Sequence, residues 1–149
     1  MADAITKSTP TAQPVYKYKE HIEKHAPKNC PPTQAKEINI VAYRWVRKPI
    51  EVDDFKSHYS LDRHPPKATE KFHLECKYCG LSLFTTIDFA ELGLRKAWKR
   101  TTIPYTHIAE GKILESYGVC TSANDDGHFT IHEYAGIDLI PFFKIVKEI

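Results

Sequence analysis

Residues 38–46, INIVAYRWV, are the stretch that most narrows what this chain can fold into. Read with a period of two, Ile38, Ile40 and Ala42 take one face and Val41, Tyr43 and Trp45 the other. A strand apolar on both faces needs packing above and below, so it belongs in the interior of a sheet. Arg44 is the odd member, a charge in a strand that should be well buried. Either it snorkels from the strand end, or it is a cation turned toward a ligand.

The other elements are shorter. Residues 15–26 suit a short helix with Val15, Tyr18 and Ile22 on one side, ended by Pro27, and Asn29-Cys30-Pro31-Pro32 is a stiff loop. Asp53-Asp54-Phe55 starts a helical turn, and residues 60–70 form a polar loop around Pro65-Pro66. Residues 72–76 and 81–84 read as two short strands. Thr85 and Asp88 then open the principal helix, which runs to about Arg100 and buries Phe89, Leu92 and Trp98. In the last third, residues 105–109 and 112–120 read as strands broken at Gly111. Asn124-Asp125-Asp126-Gly127 is a turn, and residues 128–134 alternate cleanly as a strand. Asp138 caps a helical turn, and residues 142–149 form a closing strand. Strands outnumber helices, which predicts an α+β fold. It is mainly an antiparallel sheet with one principal helix packed on it and a short N-terminal helix. Residues 1–14, small, polar and Pro-containing, read as a disordered tail, and residues 15–149 as a single domain.

With 149 residues, 42% of them hydrophobic, the chain can build a core without staples. A formal net charge of +2 gives it no global pull toward nucleic acid or an anionic membrane. No apolar run approaches a membrane span, and residues 1–14 lack the basic and apolar regions of a secretory signal. The expected location is cytoplasmic, where the four cysteines would be reduced thiols or metal ligands. The expected partner is another protein. Nucleic acid has only Arg95, Lys96, Lys99 and Arg100 beside Trp98 to recommend it, and cations near a helix C-terminus also complement the dipole.

Cys76-Lys77-Tyr78-Cys79-Gly80 has the spacing of a zinc knuckle. Two intervening residues let a tight turn aim both sulfurs at one ion, and the glycine can supply a positive φ. Zinc wants four ligands. His73 lies three residues upstream, and Cys30, Cys120 and His64 are further candidates to close a structural site. A thioredoxin-like reading needs a helix starting at the first cysteine, whereas Leu81-Ser82-Leu83-Phe84 reads as strand. Plain buried thiols are the remaining alternative.

Of eight histidines, His21 and His25 lie four apart on the first helix and read as a solvated face. His128, Thr130, His132 and Tyr134 share one face of a strand. That row is either solvent-facing or a line of acid-base groups in a concave sheet. His128-Phe129-Thr130-Ile131 is His-x-Thr-apolar, and His58-Tyr59-Ser60-Leu61 is His-x-Ser-apolar. Two such tetrapeptides resemble the paired motif of the 2H phosphoesterases. The resemblance implies that His58 and His128 act as general base and acid on a phosphodiester, with Ser60 and Thr130 holding the phosphate oxygens.

No glycine-rich phosphate loop or G-x-S-x-G elbow is present in the sequence. The leading reading is a small intracellular binding or accessory protein, with one structural zinc at the knuckle. Phosphodiester cleavage by His58 and His128 is second, and nucleic-acid contact third.

Overall fold

The computed structural model describes residues 15–65 and 71–149. The expected tail, residues 1–14, lies outside them, as does the second half of the expected 60–70 loop, residues 66–70. After a short helix α1 (Lys19–His25), β1 (Ile40–Val46) pairs antiparallel with both β2 (Leu81–Phe84) and β3 (His107–Ile113). The doubly apolar segment is thus interior to the sheet, as its pattern requires. With β4 (Gly118–Cys120), β5 (His128–Glu133) and β6 (Phe143–Glu148) the sheet has six strands in the order β4-β5-β2-β1-β3-β6. Every pairing is antiparallel. The helices α2 (Lys71–Lys77) and α3 (Ile87–Arg100) precede and follow β2, and α3 is the principal helix of this α+β fold.

One face of the sheet carries Ala42, Val46, Leu81, Leu83, Ala109, Ile113, Phe129 and Ile131. It is closed by Phe55, Leu139 and Phe143 from the connections and the edge strand. On the other face α3 lies across Trp45, Phe84 and Ile108. The helix buries Ala90, Leu94 and Ala97, while Phe89 and Leu92 are exposed. This corrects the expected helix face. The sheet supplies most of the large side chains here, so the helix flanks Leu94 with small residues: a Cβ on Gly93 would stand 3.1 Å from Trp45 and 3.2 Å from Phe84. The cap is Thr86, whose hydroxyl accepts from Phe89 N, one residue beyond the expected Thr85.

Two expected strand assignments fail for identifiable reasons. Residues 72–76 are helical, within α2. KFHLECK contains no β-branched residue and several good helix formers, which a short alternating pattern does not outweigh. Gly111 does not break a strand but lies inside β3, where a Cβ would meet the Phe143 ring at 2.5 Å, and the expected strand over residues 112–120 is instead interrupted by a 3-10 turn at Glu115–Tyr117. Glycine at 111 makes room for an aromatic ring packed flat on the strand.

The expected turn at residues 124–127 forms. Asn124 Oδ1 accepts from Asp126 N and His128 N, and Gly127 has φ of 70°. Asp138 Oδ1 accepts from Ile140 N and starts the 3-10 turn Ile140–Phe142.

Candidate functional site

β1, β2 and β5 converge with the loop after the 3-10 turn Val52–Phe55 on a cavity of about 230 Å³. Its polar lining is Arg44, Lys56, His58, Arg63, Ser82 and His128, completed by Trp45, Phe84, Ile103 and Tyr105. Among the described residues no carboxylate lines it. Arg44 does not snorkel from the strand end. Its Nε donates to Asp54 O at 2.7 Å and its Nη1 to Ser82 O at 2.6 Å, with the guanidinium 5.4 Å from the Phe55 ring centre. These are carbonyl and π partners, so its positive charge is oriented, and the carboxylates of Asp54 and Glu133 offset it only from beyond ion-pair distance. Arg63 Nη1 makes one long contact, 3.4 Å, to the Tyr105 hydroxyl. Among the described residues neither arginine has a carboxylate within ion-pair distance, whereas Lys56 pairs with Asp53 at the surface.

His58 and His128 meet this cavity from different directions: His58 precedes the 3-10 turn Tyr59–Leu61, and His128 begins β5. Burial, followed by the charges of Arg63 and Arg44, pulls His58 down to about 4. Burial, then Lys77 and Arg44, pulls His128 down to about 4 as well. Both rings are neutral at pH 7. Each is therefore able to accept a proton, and a bound anion would raise both values. Burial also lowers Arg44, but a guanidinium remains protonated.

The hydroxyls of the two tetrapeptides lie elsewhere. Ser60 is exposed, its oxygen accepting from Ser57 Oγ at 3.0 Å, and it does not line the cavity. Thr130 is buried and lines a neighbouring cavity of about 330 Å³ with Cys76, Lys77, Thr121 and His132. The row His128, Thr130, His132 is not solvent-facing, because β5 is buried from Phe129 to Glu133. Burial also pulls His132 down to about 4. His21 and His25 are not a solvated face either: both stack on Tyr59, with His25 at 3.9 Å between ring centres.

The cysteines rearrange most. Cys30, on its Pro-Pro loop, forms a disulfide with Cys76, 46 residues away, with a Cα–Cα distance of 5.5 Å. This corrects the expectation of reduced thiols at these two positions. His132 Nε2 lies 3.9 Å from Cys76 Sγ, so Cys30, Cys76 and His132 form one group. Cys79 is not part of it. The chain leaves α2 through a turn in which Cys79 N donates to Cys76 O, and this carries Cys79 into a small cluster with Ile22 and Tyr59. Its thiol donates to Glu75 O at 3.3 Å, and burial pushes it up to about 12. The side chain of His73 lies outside the described residues. His64 is exposed, beside Asp62, and Cys120 is buried and free. Cys76 stands in the last turn of α2, the end of the dipole that disfavours a thiolate, which removes the thioredoxin-like geometry. Gly80 has no positive φ. It is small because a Cβ would strike Ile131 O and Thr130 at 2.6 Å.

The basic end of α3 offers little to a nucleic acid. Trp98 is turned inward and donates to Tyr105 O, and Arg95 pairs with Glu91. Among the described residues no helix is long and apolar enough to cross a membrane. Sequence reasoning missed Lys56, Arg63 and Tyr105 as cavity residues, since isolated polar positions in loops carry no periodic signal. Arg44 announced itself by breaking an apolar strand, and His58 and His128 by their tetrapeptides. No protein-family model, curated protein or solved structure matches this chain.

Proposed function

We propose that this protein binds a small anionic ligand, with a phosphoryl or comparable oxyanion head and an apolar body, in the cavity between β1, β2, β5 and the 56–63 loop. This is a specific form of the small binding or accessory role inferred from the sequence. One observation carries it: Arg44 and Arg63 line a partly enclosed cavity in whose wall, among the described residues, there is no carboxylate. A buried guanidinium whose carboxylates, Asp54 and Glu133, act on it only from beyond ion-pair distance favours an incoming anion, and guanidinium groups suit oxyanions geometrically. Trp45, Phe84, Ile103 and Tyr105 supply the apolar wall for the rest of the molecule.

The test is calorimetric titration with phosphate, pyrophosphate, nucleoside monophosphates and cyclic nucleotides, at low and high salt. Binding should weaken with salt. Arg63→Gln, which disturbs little packing, should weaken it by about tenfold or more, the equivalent of one charge-assisted hydrogen bond. Absence of binding across the panel, or binding indifferent to Arg63→Gln, overturns the proposal.

A second reading, phosphodiester cleavage, is favoured by one observation: both histidines of the paired tetrapeptides line the same cavity. One neutral imidazole would remove a proton, and the other, protonated when the anion binds, would supply one. Arg44 and Arg63 would take over the oxyanion contacts assigned by the resemblance to Ser60 and Thr130. Turnover of cyclic nucleotides or 2′,5′- and 3′,5′-linked oligonucleotides should then vanish in both His58→Ala and His128→Ala. Survival in either variant excludes the pair.

A further inference from the structure

Cys30, Cys76 and His132 place two sulfurs and an imidazole nitrogen within 4.8 Å of one another. The imidazole is the informative member. His132 is 2% exposed, and among the described residues its Nδ1 has no hydrogen-bond partner and Nε2 has the Cys76 sulfur as its one polar neighbour. A buried imidazole that meets no oxygen or nitrogen partner requires an explanation. A Gly80 Cβ would come within 3.1 Å of Nδ1, so glycine at 80 also leaves space for this ring.

We propose that Cys30, Cys76 and His132 are a redox-gated site for a soft metal ion, closed as a disulfide and open to zinc once the bridge is reduced. This inference rests on no part of the anion-binding reading. Thiolate and imidazole together select Zn(II) or Cu(I) over hard cations. In a tetrahedral zinc site a sulfur and a nitrogen ligand stand roughly 3.6 Å apart, from Zn–S of about 2.3 Å and Zn–N of about 2.0–2.1 Å. The observed Cys76–His132 separation of 3.9 Å is close to that. The chemistry balances simply. A dithiol reductant is oxidised to its cyclic disulfide, and its two electrons and two protons convert the Cys30–Cys76 bridge into two thiols. The ion then displaces both thiol protons and binds two thiolates and neutral His132. Cys76 and His132 both line the 330 Å³ cavity. That cavity gives the ion an entry path and leaves its fourth position open to water or an exogenous ligand. The site differs from the knuckle expected from the sequence: His132 stands in for Cys79, and the oxidation state decides occupancy.

The full chain is prepared oxidised and dithiol-reduced, desalted under argon and titrated with Co(II), then with Zn(II). The reduced protein should take up one Co(II) per chain with a sulfur-to-cobalt charge-transfer band, lose the band to Zn(II), and show none of this when oxidised. His132→Gln should weaken zinc by more than about tenfold, the lower end of the loss seen when only a supporting group is removed. Cys79→Ser should leave binding unchanged. Two measurements on the wild type need no variant to fold. Zinc should protect Cys30 and Cys76 from iodoacetamide, read by peptide mass spectrometry, and zinc X-ray absorption should fit two sulfur ligands. Equal uptake by the oxidised protein, no charge-transfer band on reduction, a site with three or more sulfurs, or loss of binding in Cys79→Ser would each overturn the inference.

Discussion

Lys17 Nζ stands 3.3 Å from Glu133 Oε2, and Glu133 Oε1, on the same buried carboxyl group, has no hydrogen-bond partner among the described residues. Glu133 therefore carries a charge that is half compensated. Burial raises its pKa to about 7, against the opposing pull of Lys17 and, more weakly, Arg44. The folded value lies above the unfolded one, so the native state holds the proton more tightly. The stability this group contributes is present below about pH 4.5 and is lost as pH rises toward 7. Glu133→Gln should remove that decline. Chemical denaturation at intervals across this range should show the variant gaining on wild type by up to about 3 kcal/mol at pH 7 and above. A difference independent of pH would refute the assignment.

Histidines 58 and 128 act in the opposite direction. Their folded values, about 4, lie below the unfolded value of 6.5. The unfolded chain binds more protons between these limits, so their contribution is present above pH 6.5 and is lost as pH falls to 4. The double variant His58→Asn/His128→Asn should flatten the acid limb of a stability–pH curve by up to two protons' worth of slope. A bound anion raises both values, so anion affinity should increase as pH falls from 6.5, measured by titration at fixed ionic strength.

Gly111 lies under the Phe143 ring, 2.5 Å from where a Cβ would be. Gly111→Ala should destabilise by about 1–3 kcal/mol, the range for overpacking a core. Urea midpoints would measure it, and Phe143→Leu in the same chain should recover part of the loss. If the two substitutions are simply additive, the ring contact is not the cause.

Native Cys79 and Cys120 should be inert. Both are buried, and burial pushes each thiol up to about 12. At pH 8 neither offers appreciable thiolate, the form that reacts. Alkylation in the native state should be slower than in denaturant by about a hundredfold or more. Rapid native labelling of Cys79 would mean that its packing beside Ile22 and Tyr59 opens readily.

By itself the sequence determined what depends on a few adjacent residues. The two-sided apolar run made β1 an interior strand, and the Asn124–Gly127 turn set up β5. A Thr cap before an apolar helical repeat placed α3 to within a residue. Period, capping and turn chemistry act over one or two turns of chain, so they are legible without knowing what lies opposite. Where competing side chains decide, legibility ends. The face of α3 was misassigned because Trp45 and Phe84 fill the space the helix would otherwise occupy, and residues 72–76 became helical because no β-branched residue held them extended. Strand order was beyond reach, and with it everything strand order brings together. The tertiary structure alone paired Cys30 with Cys76 and sent Cys79 into a different cluster. It also gathered Arg44, Arg63, His58 and His128 around one cavity. Those residues come from a strand interior, two loop positions and a strand start. Their convergence is a product of packing free energy over the whole sheet, which no local pattern encodes.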